Sequence, residues 1–305
     1  MCEIRLSATN RKKGRVLSWS IDKCGHASRV CSDLCYGKKG GHRFCEDRHR
    51  ANTLATESPD FVEAMCAVLE AMTAVDKSAC LCLHERGDFF DLAYLKKWVQ
   101  ILRAMKVRRP LLWCYAYTRA WCVSNLYEVL KEIGEDGSCN LRVNLSTDRS
   151  DYVGGAEPPE RIGNGLVTFL MADRDDVPPS GVDLVFRNRH PREGGKGVRS
   201  GRYWRPQETI GGALICPAED LVHRVKCDRC RLCIDASRAT WERIADRFLL
   251  AGHRGEGDGH GVVPVATSDS PDEEGATPYT SGIHVLTAPP AAVEDGSGLM
   301  PRGTA

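Results

Sequence analysis

Residues 79–145 read ACLCLHERGDFFDLAYLKKWVQILRAMKVRRPLLWCYAYTRAWCVSNLYEVLKEIGEDGSCNLRVNL. Three short apolar runs, ACLCL (79–83), LLWCYAY (111–117) and LRVNL (141–145), have the length and composition of strands. Two amphipathic segments separate them. Asp91 opens the first, with Leu95, Trp98, Leu102 and Met105 on one stripe. The second runs from Ser124 through Leu126, Val129, Leu130 and Ile133, with Gly134 as its expected stop. Strands that alternate with helices of this length are joined by crossovers, which is the pattern of a parallel sheet.

The same reading extends outward. VLSWSI (16–21) precedes the stretch, and LVTFLM (166–171) and VDLVF (182–186) follow it. Ser58-Pro59 opens a further helix, with Phe61, Met65, Leu69 and Met72 at helical spacing. The loops DRSDYVGGAEPPERIGN and ADRDDVPPSG hold too much proline and glycine for full helices, so the outer layer is expected to be incomplete. A last helix is expected over Ser237–Ala251, packed behind the final cysteines. The fold class is α/β: a parallel sheet of βα units, open or rolled into a partial (β/α)6-like barrel. Residues 1–205 form this core with an amino-terminal cysteine loop, 206–252 a cysteine-rich extension, and 253–305 a disordered acidic tail.

Two cysteine sets carry the chemistry. Cys216 is followed after ten residues by CDRCRLC, so Cys227, Cys230 and Cys233 recur with two residues between them, a spacing at which thiolates converge on one centre. Asp228, Arg229 and Arg231 lie among them, which does not suit a buried apolar element. The first set, Cys24, Cys31 and Cys35 in CGHASRVCSDLC, has gaps of six and three in a polar loop. Cys45 is either its fourth member or a packing thiol beside Phe44. Cys66, Cys80, Cys82 and Cys114 sit in apolar runs and read as core.

The segment MCEIRLSATNRKKGRV has no apolar core of a signal peptide, and no run is long enough to span a membrane. The expected compartment is the reducing cytoplasm, where fifteen cysteines speak for metal or cluster ligation rather than disulfides. Net charge is +1, but residues 253–305 hold two arginines against eight acids, a local −6 that leaves +7 on the rest. That balance mildly favours an anionic partner.

In parallel α/β folds the chemistry gathers where strands end. His84 and Asp88 in HERGD are the candidate acid–base or ligand pair, with loop ordering as the bland alternative for both. Tyr117, Asp148 and Arg187 end later strands and would line the same mouth, although Asp148 with Arg149, or Asp173 with Asp176, reads as a loop ion pair before it reads as a site.

The runs CGHASRVCSDLCYGKKGGHRF, HERGDFFDLAYLKKWVQI, WCYAYTRAW, FLMADRDDVPP with DLVFR, and CP with CDRCRLC resemble, in that order, the phage and prophage gene product eighty-eight family over Leu17 to Cys233. The resemblance implies cysteine-ligated metal and a phage-infected or lysogenic bacterial host, and brings no reaction with it. A looser resemblance in layout is to radical S-adenosylmethionine enzymes, partial βα barrels with a three-cysteine loop after the first strand. It implies a 4Fe-4S cluster on Cys24, Cys31 and Cys35 with one open iron, S-adenosylmethionine as a cofactor, and a second cluster on Cys216, Cys227, Cys230 and Cys233. The cysteine gaps here are wider than in that superfamily, and HERGD stands where its glycine-rich strand end would be.

Three functions follow. The first is an iron–sulfur enzyme acting on a nucleotide, nucleic acid or small metabolite. The second is a zinc-stabilised nucleic-acid-binding protein, with Lys12, Lys13, Arg15, Lys38, Lys39 and Arg43 on phosphates. The third is a non-catalytic interaction or redox protein with a structural cluster.

Overall fold

The computed structural model describes residues 3–7, 13–35, 37, 45–75, 80–172, 176–187, 209–216, 226–234 and 283–287. Nine strands among them form one sheet: β1 (Glu3–Ser7), β2 (Val16–Ser18), β3 (Cys80–Leu83), β4 (Trp113–Thr118), β5 (Leu141–Asp148), β6 (Val167–Met171), β7 (Leu184–Arg187), β8 (Leu214–Ile215) and β9 (Ile283–Thr287). Their spatial order is β8-β7-β6-β5-β4-β3-β2-β1-β9. All pairings from β2 to β8 are parallel, and β1 lies antiparallel to both β2 and β9. The expected α/β class and its parallel sheet are therefore present. Among the described residues β8 and β9 are edges, and no pairing joins them.

Each parallel strand from β2 onward takes its place beside the one before it, always on the same side. With right-handed crossovers, such a one-way walk sends every connecting helix to the same face. That face holds the main core. Leu81, Leu83, Ala116, Val143 and Leu145 of the sheet pack there with Phe61 and Leu69 of α3 (Phe61–Val75), Trp98 of α4 (Leu92–Arg108) and Leu130 of α5 (Ser124–Glu135). Trp19, Phe61 and Trp98 meet at ring-centre distances of 5.7–6.1 Å, Trp98 edge-on to both partners and Trp19 tilted at 46° to Phe61.

Among the described residues the opposite face has no such helices, and the carboxyl cysteine segment lies against it instead. Val16, Cys80, Cys82 and Tyr115 pack against Cys233 and Ile234, and Leu166 and Leu184 against Cys216, Cys230 and Leu232. Strand alternation explains the division: Cys80, Cys82 and Tyr115 point one way, Leu81, Leu83, Cys114 and Ala116 the other. Because both faces are buried, these strands read as continuous apolar runs.

Asp91 caps α4 as expected, its carboxylate accepting the Tyr94 amide at 2.7 Å. The expected stop at Gly134 is corrected: α5 continues to Glu135, and Gly134 is needed because a β-carbon there would run into Ile162. The helix α2 (Glu46–Glu57) was not foreseen, since EDRHRANTLATE shows no apolar stripe. Its buried face is polar. Asn52, wholly buried, accepts the Arg5 amide at 3.1 Å and donates to the carbonyls of Arg5 at 3.0 Å and Ser20 at 2.8 Å, tying the helix to β1 and to the end of β2.

One strand falls inside the expected disordered tail. The β-branched alternation of IHVLT lets Ile283–Thr287 pair with β1, which would otherwise be an edge. The expected helix over Ser237–Ala251 and the rest of the tail lie outside the described residues.

Candidate metal centres

The amino-terminal cysteine loop leaves the carboxyl end of β2 stapled to HERGD. Trp19 and Ile21 donate their amides to the Cys82 and Arg86 carbonyls at 3.0 and 2.9 Å, and Glu85 and Asp88 donate back to Trp19 and Lys23 at 3.0 Å each. The ladder thus reaches the residue before Cys24. Gly87 makes it possible: its φ of +98° is open to glycine, and a β-carbon there would run into Ile21. The Gly87 amide is directed at the Cys24 sulfur. Ser28 then caps α1 (Arg29–Leu34), accepting the Cys31 amide at 2.9 Å. Cys31 lies within that short helix and Cys35 is the residue that ends it.

Cys24 and Cys31 are shifted by their surroundings. Desolvation pushes Cys24 up to about 12, and Asp88, Cys35 and Cys31 add to the shift. Desolvation likewise pushes Cys31 up to about 11 against the pull of the Arg119 guanidinium, with Cys35, Asp148 and Asp88 raising it further.

A charged network supports the loop from the ends of β3, β4 and β5. Asp88 is buried and accepts from Thr118 Oγ1 at 2.5 Å and from the amides of Arg119 and Phe89 at 2.7 Å each. Burial raises its carboxyl above the usual range while those bonds oppose the shift. Arg119 meets Asp148 at 3.0 Å and Asp151 at 2.5 Å. Asp148, fully buried, also accepts from the hydroxyls of Ser28 and Ser150 and from the Ser150 amide at 2.9 Å. The chain Ser28–Asp148–Arg119 therefore links the cysteine loop to β5 and β4. Arg119 stood at a strand end in the sequence without a role, and only its folded neighbours give it one.

The other expected mouth residues are placed differently. His84 has a φ of +61°, is 4 % exposed and stacks edge-on against Phe89 at 4.5 Å. Its Nε2 is 2.9 Å from the Tyr94 hydroxyl, which also receives the Trp19 indole at 2.8 Å. Burial pushes its imidazole down to about 3. An unfolded chain takes up this proton first as pH falls through the ordinary 6.5. His84 thus contributes stability that is present above about 6.5 and lost progressively toward 3. The expected result is that urea midpoints at pH 7, 5.5 and 4 fall more steeply in the wild type than in His84→Asn, which tolerates the same backbone. Equal slopes would remove His84 from the acid response.

Tyr117 belongs to the opposite face, its ring edge-on to Phe186 at 5.2 Å and its buried hydroxyl beside Cys233. Arg187 ends β7 paired in register with Met171. Asp176 forms a loop ion pair with Arg149 at 3.4 Å, whereas Asp173 lies outside the described residues. Cys45 is the residue just before α2, and no described bond draws it to the other three thiols.

The carboxyl set is built against the sheet. Cys216 follows β8 and donates its amide to the Val185 carbonyl at 2.9 Å. Cys227 and Cys230 lie one helical turn apart in α6 (Cys227–Cys230), and Arg231, at φ +58°, turns the chain so that Cys233 comes back toward them. Two β5 side chains hold this segment: Arg142, 1 % exposed, donates to the Leu232 carbonyl at 3.4 Å, and Asn144 to that of Cys233 at 3.2 Å. All four thiols, with Tyr115 and Leu184, line one cavity with room for about one water-sized sphere. Cys80 and Cys82, read as plain core, face the same cluster, and Lys13 Nζ stands 3.1 Å from Cys82 Sγ.

Soft thiolate donors suit zinc or iron–sulfur groups, and each set gathers its thiols in one neighbourhood. Among the described residues, no three His, Cys, Asp or Glu side chains already stand in metal-holding geometry. A metal bound by either set would require its thiols to draw inward, a coupling of metal binding to local folding that is common for such sites.

No described helix is long and apolar enough to cross a membrane. No curated protein and no solved structure matches the chain. The model of the phage family described as Gene product 88 matches residues 4–236, a span that takes in both cysteine sets and every strand from β1 to β8. The chain belongs to the Gene product 88 family.

Proposed function

We propose that this phage protein is an iron–sulfur enzyme, radical-S-adenosylmethionine-like in layout, that acts on a nucleotide, nucleic acid or small metabolite. The observation that carries the reading is the position of the Cys24, Cys31 and Cys35 loop. It sits at the carboxyl ends of the parallel strands, tied to Asp148 through Ser28 beside Asp88 and Arg119. A partly rolled sheet would gather those strand ends into one mouth. A cluster there would supply electrons and an open coordination position. The chain's own part is to hold the loop through Ser28 and Gly87, to offset thiolate charge with Arg119, and to keep Asp88 and Asp148 fixed beside it.

The Cys216, Cys227, Cys230 and Cys233 set has the opposite character. It is enclosed against the sheet, which suits a structural or auxiliary group. Its small cavity also favours a single ion such as zinc at that position, the one point in support of a zinc-stabilised protein. The nucleic-acid half of that alternative gains less. Lys13 is engaged with Cys82 and, at 3.5 Å, with Glu85, while Lys12, Lys38, Lys39 and Arg43 lie outside the described residues.

The test is anaerobic reconstitution of the full chain with iron and sulfide, reduction by dithionite, and assay of S-adenosylmethionine. Consumption of the cofactor by the wild type and none by the Cys24→Ser/Cys31→Ser/Cys35→Ser variant is expected. An iron-loaded wild type that leaves the cofactor intact would contradict the radical reading.

A further inference from the structure

One close contact on the sheet involves a thiol that belongs to neither ligand set. Lys13, three residues before β2, places its Nζ 3.1 Å from the Sγ of Cys82 on β3 and 3.5 Å from a Glu85 carboxylate oxygen. Register fixes the arrangement. β2 runs parallel to β3 with Val16 opposite Cys80 and Ser18 opposite Cys82, and alternation turns both thiols away from the helix side. Cys82 is 2 % exposed, whereas the Lys13 side chain keeps 14 % of its exposure. Sulfur is a weak acceptor, and an ammonium gives up hydration when it turns inward to reach one. The Glu85 carboxylate offsets part of that loss.

An amine nitrogen in contact with a thiol sulfur is also the starting geometry of a covalent bond between them. We propose that Lys13 and Cys82 form a reversible oxidative crosslink, a sulfenamide between Nζ and Sγ made in the presence of hydrogen peroxide. In the first step peroxide oxidises the thiol to a sulfenic acid and is itself reduced to water. Sulfenic acids condense with thiols or with nitrogen nucleophiles, and the nearest nucleophile here is the lysine. Lys13 passes its extra proton to Glu85 and attacks the sulfenyl sulfur with the freed lone pair. The N–S bond forms, the S–O bond breaks, and hydroxide leaves with a second proton from the nitrogen as water. Two equivalents of a cellular thiol reverse the link, returning thiol and amine and leaving a disulfide between the two reductants. The low exposure of Cys82 restricts the oxidant to a small neutral molecule such as peroxide. The crosslink ties the chain ahead of β2 to β3, the strand that runs into the HERGD loop, and it needs no metal at either cysteine set.

The test is peptide mapping of the full chain after hydrogen peroxide treatment, with the reduced chain as reference. The wild type is expected to yield a peptide containing Lys13 joined to one containing Cys82, lighter than their sum by two hydrogens and released by dithiothreitol. Lys13→Arg keeps the positive charge but offers a poor nucleophile, so the linked peptide should vanish and a dimedone-trapped sulfenic acid should accumulate on Cys82. Glu85→Gln should slow the linkage without moving Cys82. A wild-type Cys82 that stays a thiol under peroxide, that is recovered in a disulfide with Cys80 or Cys233, or that passes to sulfinic acid with Lys13 unmodified would overturn the proposal. So would equal yields of the linked peptide in Lys13→Arg and the wild type.

Discussion

Replacing Arg119 by glutamine is expected to cost about 3–5 kcal/mol of stability, the range for breaking a buried ion pair from one side. The guanidinium holds Asp148 at 3.0 Å and Asp151 at 2.5 Å, and Asp148 is fully buried. Glutamine leaves that charge with only its serine donors. Arg119→Lys should cost less than Arg119→Gln but should not match the wild type, because one ammonium cannot span two carboxylates as a planar fork does. Since Ser28 hangs from Asp148, the loop should loosen too, and Cys31 should react faster with a maleimide in both variants. Urea unfolding with timed labelling reads both effects. A loss under about 1 kcal/mol with unchanged labelling would mean that the network is not what fixes the loop.

The second large effect is expected from Cys227→Ser/Cys230→Ser. Segment 226–234 covers a sheet face that receives no crossover helix among the described residues, and Cys230 and Leu232 pack there on Leu166 and Leu184. Without its thiols the segment should lift away, leaving Arg142 and Asn144 of β5 without the Leu232 and Cys233 carbonyls. Amide exchange should then rise in β4 to β7 while the helix-side core, including α3 and α4, stays protected. Treating the wild type with a strong chelator should reproduce that pattern, because structural thiolate sites contribute folding energy outright. Protection unchanged in both experiments would show that packing alone seats the segment.

The sequence shows the central strands because burial on both faces makes them unbroken apolar runs, and shows α4 through its Asp91 cap. It hides α2, whose buried Arg48, His49, Asn52 and Thr53 replace apolar residues with hydrogen-bonding ones. Periodicity of hydrophobicity cannot find a helix packed through polar side chains. The cysteine sets were legible from spacing, and the division of labour proposed for them only partly so. That Cys80 and Cys82 face Cys233 depends on strand register, which a one-residue slip would reverse. Tyr117 turns to that same face by alternation. His84 was legible as a strand-end histidine, yet its left-handed backbone sends it into the aromatic cluster of Phe89 and Tyr94 rather than toward an open mouth. Arg119 was legible only as a strand-end arginine, since what marks it is its place between the carboxylates of Asp148 and Asp151.

The most direct test of two separate thiolate centres is metal and sulfide content per chain after anaerobic purification, with an absorption spectrum, for the wild type and for each cysteine set changed to serine. Two independent centres are predicted: each variant loses its own share of iron or zinc and retains the other. A wild-type chain that binds neither metal, or a pair of variants that each lose everything, would contradict the account.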